Sequence, residues 1–343
     1  MKRALITGVT GQDGSYLAEL LLQKGYEVYG LVRRKSTQDY GQAEHLKDQI
    51  RFLYGDMTDV TSLVAALQVS KPDEVYNLAA QSFVGISWQQ PVATSEINGL
   101  GVLYLLEAMR MVNSKAKFYQ ASTSELFGLA AEIPQSESTP FHPRSPYGVA
   151  KLYGHWTAIN YRESYGMFVA TGILFNHESE RRGKEFVSRK ITNAVARIKF
   201  GLQQQLEVGN LDARRDWGHA EDYVRAMWLM LQRDLPGDYV VASKTSWTVR
   251  TWIEKAFART GVSLVWQGSG LQETGLDAQT KKVLVKVNPQ FFRPAEVHHL
   301  EGDPHKAEEE LGWRRNVSFD QLVNRMVDFD LAQAALEAQV HKS

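Results

Sequence analysis

Apolar residues fall into short, near-continuous runs through the first half of the chain, separated by stretches where they recur every three or four positions. The runs at Arg3–Thr7, Glu27–Val32, Arg51–Tyr54, Glu74–Leu78, Lys117–Ala121 and Val169–Leu174 predict strands. The stretches around Tyr16–Lys24, Ser62–Val69, Gly99–Val112 and Tyr147–Tyr165 predict helices, the first with Leu17, Leu20 and Leu21 on one face. Gly25 and Pro72 punctuate two of the helix ends. Strands that are apolar on both faces and alternate with helices belong in a parallel sheet covered on each side. Beyond Phe175 the rhythm loosens. Helices are expected at Val187–Phe200, Asp222–Leu231 and Val249–Thr260, a short strand at Tyr239–Ala242, a loop over Gly268–Lys282, and a last helix from Phe319 into the tail.

The turn after the first strand reads GVTGQDG, Gly8 to Gly14, and leads straight into the first helix. Strand, glycine-rich turn and helix form the entry to a dinucleotide fold. Gly8 permits the tight turn, Gly11 lets backbone approach a pyrophosphate, and Gly14 lets helix pack on strand. The helix N-terminus offers unpaired N–H groups and the positive end of its dipole to phosphate. Thr10, Gln12 and Asp13 lie in the same turn and count with the glycines as cofactor-binding. The expected fold class is α/β: a Rossmann-type doubly wound parallel sheet with a smaller, mostly C-terminal α/β substrate lobe. Residues 1–175 would form the nucleotide-binding domain, joined by some later segments, and residues 176–343 mainly the substrate lobe. Ligands belong at the carboxyl ends of the strands, where the two parts meet.

In such folds a carboxylate about 20 residues past the glycines holds a ribose 2′-hydroxyl. Here the second strand ends Leu31, Val32, Arg33, Arg34, Lys35, which suits a 2′-phosphate and offers a hydroxyl no acceptor. The expected cofactor is NADP, with a solvated basic turn as the plainer alternative. Asp56 and Met57, after the third strand, are placed toward the adenine end. Leu78, Ala79, Ala80 and Gln81, after the fourth, offer small side chains where cofactor must run close to backbone.

Tyr147 and Lys151 stand four positions apart at the start of a helix, hence on one face. An ammonium beside a phenol lowers its pKa, so the tyrosine would act as a base nearer neutral pH, and the same lysine would reach a nicotinamide ribose. Ser122, Thr123, Ser124 and Glu125 follow the fifth strand and set hydroxyls and a carboxylate at its carboxyl end. Helix capping describes the same residues, but Gly128 and Pro134 follow too soon for a long helix.

Composition narrows the function classes. Lys plus Arg and Asp plus Glu each number 39, a balance that favours neither a nucleic-acid nor a membrane-surface partner. The chain has no cysteine, which excludes disulfides, thiolate catalysis and cysteine-held metals; no histidine–carboxylate cluster has ligand spacing, so no metal is expected. No apolar run approaches the roughly 20 residues that span a bilayer, and MKRALITG enters a strand too soon for a signal-peptide core. A cytoplasmic protein is expected.

GVTGQDG, STSELFG and YGVAK, in this order and spacing, resemble the extended short-chain dehydrogenase/reductase family. NLAAQS (Asn77–Ser82), FYQASTSELFG (Phe118–Gly128), PRSPYGVAKLY (Pro143–Tyr153), GILFNHES (Gly172–Ser179), RKIT (Arg189–Thr192), NLDARRDWG (Asn210–Gly218) and FFRPAEV (Phe291–Val297) are similar, over nearly the whole chain, to its GDP-mannose 4,6-dehydratase branch. The resemblance implies a hydro-lyase of deoxyhexose nucleotide-sugar biosynthesis with tightly bound NADP, taking GDP-D-mannose to GDP-4-keto-6-deoxy-D-mannose. By the same resemblance Tyr147, with Lys151, would take the proton of the hexose 4-hydroxyl as hydride leaves C4. Glu125 would be the base at C5, and Thr123 would hydrogen-bond the sugar while water leaves C6 and the hydride returns there. Asn176, Lys190, Arg215 and Arg293 would hold diphosphate and ribose, with Ser82 and Glu296 also at the substrate; an arginine fork suits phosphate. Arg215 beside Asp216 also fits a structural ion pair. His177 and Arg182 would lie near the nicotinamide and the cofactor phosphate. A homotetramer is implied, with a dimer as the alternative.

Glu125 separates outcomes, because related epimerases commonly lack a carboxylate there, and dTDP-glucose 4,6-dehydratases typically show Asp–Glu where Ser124–Glu125 stands. An NADP-dependent epimerase or reductase, with Glu125 structural, is the second reading; a non-catalytic NADP-binding regulator is the third. Glu180, His219, Glu221, His298 and His299 depart from the expected pattern, outside the proposed catalytic groups.

Overall fold

The structure is a computed structural model that describes residues 1–37 and 39–340. Its strands are β1 (Arg3–Thr7), β2 (Glu27–Val32), β3 (Arg51–Tyr54), β4 (Glu74–Asn77), β5 (Lys117–Thr123), β6 (Val169–Leu174), β7 (Asn176–Glu178), β8 (Leu206–Val208), β9 (Arg214–His219), β10 (Asp238–Val241), β11 (Ser246–Thr248), β12 (Leu264–Gln267), β13 (Thr274–Asp277) and β14 (Val283–Val287). Its helices are α1 (Gln12–Gln23), α2 (Val60–Ser70), α3 (Pro91–Ser95), α4 (Gly101–Met111), α5 (Pro146–Tyr165), α6 (Val187–Lys199), α7 (Ala220–Gln232), α8 (Val249–Arg259), α9 (His305–Glu310) and α10 (Phe319–Val340). Among the described residues no helix is long and apolar enough to cross a membrane.

Seven strands form one sheet in the order β10-β6-β5-β4-β1-β2-β3, parallel throughout. Side chains alternate across it, so Ala4 and Ile6 join one core while Leu5 joins the other. On the first face Leu17 and Leu21 of α1 pack with Val224, Met227 and Leu231 of α7; on the second, α2, α4 and α5 contribute Leu63, Leu105 and Ala158. Because both faces are covered, the strands read as apolar runs rather than alternating ones. Strand order reverses between β1 and β4, which opens a crevice outside Thr7 and Asn77.

The remaining chain builds two small sheets, β11-β9-β7 and β12-β13-β14-β8. Their core gathers Ile191, Ile253, Val285 and Met326 around Phe319, whose ring stacks on Trp247 at 4.9 Å and meets Trp252 edge-on at 5.2 Å. The loop expected over Gly268–Lys282 is corrected here: Thr274–Asp277 is β13, between β12 and β14. Gly275, which suggested a loop, is packed; a Cβ there would lie 3.1 Å from both the Trp266 ring and Val285. A second difference precedes α4, where Glu96–Leu100 forms a π-helical turn continuous with α3.

Three of the unusual positions meet where the two parts of the chain join. Glu180 accepts from Tyr16 Oη at 3.2 Å and Arg325 Nε at 3.1 Å, and lies 3.4 Å from His219 Nε2; Arg325 also pairs with Glu221 at 3.2 Å. Burial opposes the Glu180 charge, but the His219 hydrogen bond, its own backbone N–H and Arg325 hold its carboxyl at about 2.

Candidate active site

At the carboxyl end of β1, Thr7 Oγ1 donates to Asn77 Oδ1 at 2.7 Å and accepts from the N–H groups of Leu78 and Ala79, at 3.1 and 3.0 Å. Asn77 Nδ2 donates to Gln120 Oε1 at 2.8 Å, so a buried polar ladder aligns the ends of β1, β4 and β5. The turn is packed against this ladder. Gly8 has φ +71°, and a Cβ on it would lie 2.8 Å from Ala79 N. A Cβ on Gly14 would lie 2.3 Å from the Gly8 carbonyl oxygen, whereas one on Gly11 would meet that oxygen only at 3.4 Å. The N-cap of α1 is Gly11, with no side chain bonded to the first N–H groups, so those donors suit a phosphate. Gln12 spends its side chain on the His177 carbonyl at 3.1 Å and Ser179 Oγ at 2.7 Å.

A cavity of about 770 Å³ lies between this edge and the smaller sheets. Asp13, Leu78, Ala80, Ser82, Thr123, Glu125, Tyr147, Lys151, Asn176, His177, Arg182, Lys190, Arg215, Arg293 and Glu296 all line it. The turn residues Gly8, Thr10, Gly11, Gln12 and Gly14, with Ala79 and Gln81, lie outside that lining. So do Arg33, exposed at the end of β2, and Asp56, whose carboxylate accepts from Thr58 N at 2.9 Å. The Thr58 N–H chiefly, with the Arg33 charge adding, holds Asp56 below the usual carboxylate range. Met57 buries its side chain in the core with Leu31 and Leu63.

Thr123 ends β5 and caps a single turn, Ser124–Leu126, its Oγ1 accepting from Glu125 N at 3.2 Å. Capping and cavity-facing are thus both true of this segment. Ser145 caps α5 through Gly148 N at 3.0 Å, which presents Tyr147 and Lys151 in its first turns. One expectation needs correction. The Tyr147 phenol is pushed up to about 12 by burial; the Thr123 hydroxyl pulls it down and Glu125 pushes it further up. Lys151 points its Nζ at the Ala121 carbonyl, 3.0 Å away, and burial brings the ammonium itself down to about 8. Helical spacing put the two on one face, but tertiary burial decides their proton affinities.

Arg182, Lys190, Arg215 and Arg293 are among the cations that line the same cavity. Arg215 lies 3.6 Å from Glu296 and is brought down to about 10 by burial, with Arg293 adding to the effect. It does not pair with Asp216. Neighbours in a strand face opposite ways, and Asp216 accepts instead from Ser243 N at 2.7 Å, its carboxyl raised to about 7 by burial. Lys190 rests 3.1 Å above the Phe291 ring, brought down to about 8 by burial. Arg293 Nη1 donates to Glu125 Oε1 at 3.1 Å. Arg182 Nε lies 2.9 Å from Glu178 Oε2.

Sequence reasoning missed Asn98. In the π-helical turn its side chain accepts from Gln81 N at 2.8 Å and donates to Gln81 O at 2.9 Å, fixing the segment after β4. It also missed Phe83 and Phe186, edge-to-face at 5.5 Å in the cavity wall. Their places beside NLAAQS and before the RKIT helix were the available signal.

A family model described as GDP-mannose 4,6 dehydratase matches residues 5–326. A GDP-mannose 4,6-dehydratase of Sinorhizobium fredii (strain HH103) is 53% identical over 340 residues, covering 96% of this chain and 97% of its own. The Homo sapiens GDP-mannose 4,6 dehydratase is 52% identical over 339 residues, covering 96% and 91%. Two solved structures share the fold. DesIV, a dTDP-glucose 4,6-dehydratase of Streptomyces venezuelae with NAD and TYD bound, has a TM-score of 0.81 at 23% identity, covering 97% of this chain and 98% of its own. RMD of Pseudomonas aeruginosa complexed with NADPH has 0.77 at 23% identity, covering 97% and 100%.

Proposed function

The chain belongs to the GDP-mannose 4,6-dehydratase family, and from that membership we propose how its residues carry out the elimination. It is a hydro-lyase that takes GDP-D-mannose to GDP-4-keto-6-deoxy-D-mannose, on the way to deoxyhexose nucleotide sugars. The observation that carries the residue assignment is the convergence of Tyr147, Lys151, Glu125 and the cations Lys190, Arg215 and Arg293 on one cavity.

The glycine turn, the uncapped start of α1 and the close approach of Gly8 to Ala79 fit a dinucleotide pyrophosphate. When bound, the cofactor would supply reversible hydride transfer. Gly8, Thr10, Gly11, Gln12, Asp13 and Gly14 hold its pyrophosphate, Asp56 and Met57 its adenine end, and Leu78 to Gln81 its flank. His177, Arg182 and Lys151 hold the nicotinamide half. Arg33, exposed at the end of β2, would meet a 2′-phosphate, and this basic end supports NADP as the cofactor. Arg33→Ala is then expected to weaken NADP about tenfold, the scale of one charge-assisted contact, and leave NAD unchanged.

Tyr147 takes the proton of the 4-hydroxyl, the Thr123 hydroxyl favouring its ionised form against the burial that opposes it. Glu125, at the end of β5, takes the C5 proton that the new ketone acidifies. Ser82, Asn176, Lys190, Arg215, Arg293 and Glu296 hold the nucleotide half of the substrate. Residues 1–175 with the returning β10 and α7 form the cofactor domain, and most of 176–343 the substrate lobe. The protein works in the cytoplasm as a homotetramer, which mass by light scattering distinguishes from a dimer.

The test is incubation with GDP-mannose in heavy water. The expected product has lost one water and kept one solvent deuterium, and Glu125→Gln stops its formation while retaining nucleotide. A product of unchanged composition overturns the assignment in favour of an epimerase, and return of unchanged GDP-mannose overturns it in favour of a non-catalytic nucleotide-binding protein.

A further inference from the structure

Glu125 and Arg293 touch at a single pair of atoms. Glu125 Oε1 accepts from Arg293 Nη1 at 3.1 Å, while its buried Oε2 has no hydrogen-bond partner among the described residues. Other arginines in the chain grip a carboxylate at several points. Arg162 donates to both oxygens of Asp238, at 3.0 and 2.7 Å. Arg189 reaches Asp330 through Nε and Nη2 at 2.8 to 3.1 Å. Forked contacts of that kind are the strong ones, and they hold the fold. The Arg293 contact leaves most of its guanidinium unused.

The two partners also differ in freedom. Glu125 is fixed in the turn that Thr123 caps, at the end of a central strand, with 9% of its side chain exposed. Arg293 lies outside helix and strand, between the turn Pro289–Phe291 and Pro294, with 29% exposed. The charged and titratable groups that bear on the pair are Arg215, Glu296 and Tyr147. Arg215 and Arg293 therefore stand as two neighbouring cations, Arg215 nearest Glu296 and Arg293 nearest Glu125, with both carboxylates acting on both.

We propose that Arg293 is an exchangeable latch on the C5 base: it pairs with Glu125 in the free enzyme, and moves to the substrate's diphosphate when the nucleotide sugar binds. The inference rests on the reading of Glu125 as that base. A diphosphate diester carries two negative charges and can fill the guanidinium fork at two oxygens, where Glu125 fills one position. The exchange leaves the Glu125 carboxylate without its cation, and free to face C5, once the sugar is seated.

The pH dependence of kcat/KM reports the free enzyme and that of kcat the substrate complex. In the parent, the acid limb of kcat/KM is expected to lie below that of kcat, because the free enzyme holds the base against a cation that the substrate complex has taken away. Arg293→Gln should raise the kcat/KM limb to meet that of kcat, which stays in place. Arg293→Lys, which keeps a cation without the fork, should narrow the gap, and it serves if the glutamine variant fails to retain nucleotide. Coincident limbs in the parent, or a gap that survives both substitutions, overturns the latch. Arginine acting only as a diphosphate ligand would raise KM evenly across pH and leave both limbs where they were, which also overturns it. Failure of the underlying reading looks different: Glu125→Gln would then keep turning over.

Discussion

His177 places Nε2 2.8 Å from Asp13 Oδ2 and Nδ1 2.8 Å from the Phe175 carbonyl, so both ring nitrogens face acceptors, the arrangement that a doubly protonated ring satisfies. The imidazolium stacks on Tyr223 at 4.4 Å and ties the first turn of α1 to β7. Burial opposes both charges, yet their attraction and hydrogen bond raise His177 and lower Asp13. The histidine's share of stability is fully present below the ordinary imidazole value and lost as pH rises through its raised one. The aspartate's share is present above the ordinary carboxylate value and lost as pH falls through its lowered one.

His177→Gln strands the Asp13 charge beside the glycine turn. Urea unfolding near neutral pH should show a loss of about 3 kcal/mol, the scale for breaking a buried pair. The deficit should be widest between the ordinary carboxylate and imidazole values and shrink on either side. A deficit that does not change with pH would mean the ring is uncharged.

Lys151 gives the opposite sign. Its ammonium titrates at about 8 in the fold against 10.5 ordinarily, so the unfolded chain binds more protons between those values and stability rises with pH there. Below about 8 the buried charge costs roughly 3 kcal/mol, offset by about 1 from its bond to Ala121 O. Lys151→Met is therefore expected to be more stable at pH 7 by about 2 kcal/mol while turnover falls at least ~100-fold. Paired melting and activity measurements check it; a less stable variant would show that the ammonium is solvated.

Glu180, held at about 2 against an ordinary 4.5, stabilises the fold above the ordinary value and stops doing so as pH falls from there to about 2. With solvent screening of its partly open site, Glu180→Gln should lose about 1–2 kcal/mol at pH 7. The two unfolding curves should converge in acid.

At the glycine turn, Gly14→Ala drives a Cβ to 2.3 Å from the Gly8 oxygen and 2.5 Å from Val9 Cα, both backbone and unable to yield. A loss of about 2–3 kcal/mol and of bound nucleotide is expected. Gly11→Ala meets only an ordinary contact at 3.4 Å, so it should fold as the parent does and bind nucleotide more weakly. Equal midpoints for the two variants would contradict the packing described for Gly14.

The sheet was legible because burial on both faces writes itself as apolar runs; β1, β2 and β6 end where the runs end. The middle strand β13 was not, because Gly275 is there for Trp266, a partner the local sequence does not announce. Asn98 was hidden for the same kind of reason, since a π-helical turn has no simple residue signature. The cavity-lining side chains were readable as motifs, but the roughly 12 and 8 of Tyr147 and Lys151 come from burial that only the assembled chain creates. Arg215 and Asp216 show the limit in miniature: adjacent in sequence, they face different neighbours. Glu180, His219 and Glu221 show the converse, three scattered oddities that prove to be one cluster.

The place of β10 at the end of the large sheet sets an order on biosynthesis. β6 is complete once residue 174 has been made, but its outer edge pairs only with residues 238–241. A nascent chain must therefore carry a row of unpaired backbone groups, on a strand buried in the finished protein, until both small sheets have begun to emerge behind it. The first half of this enzyme finishes folding only after much of the second half exists.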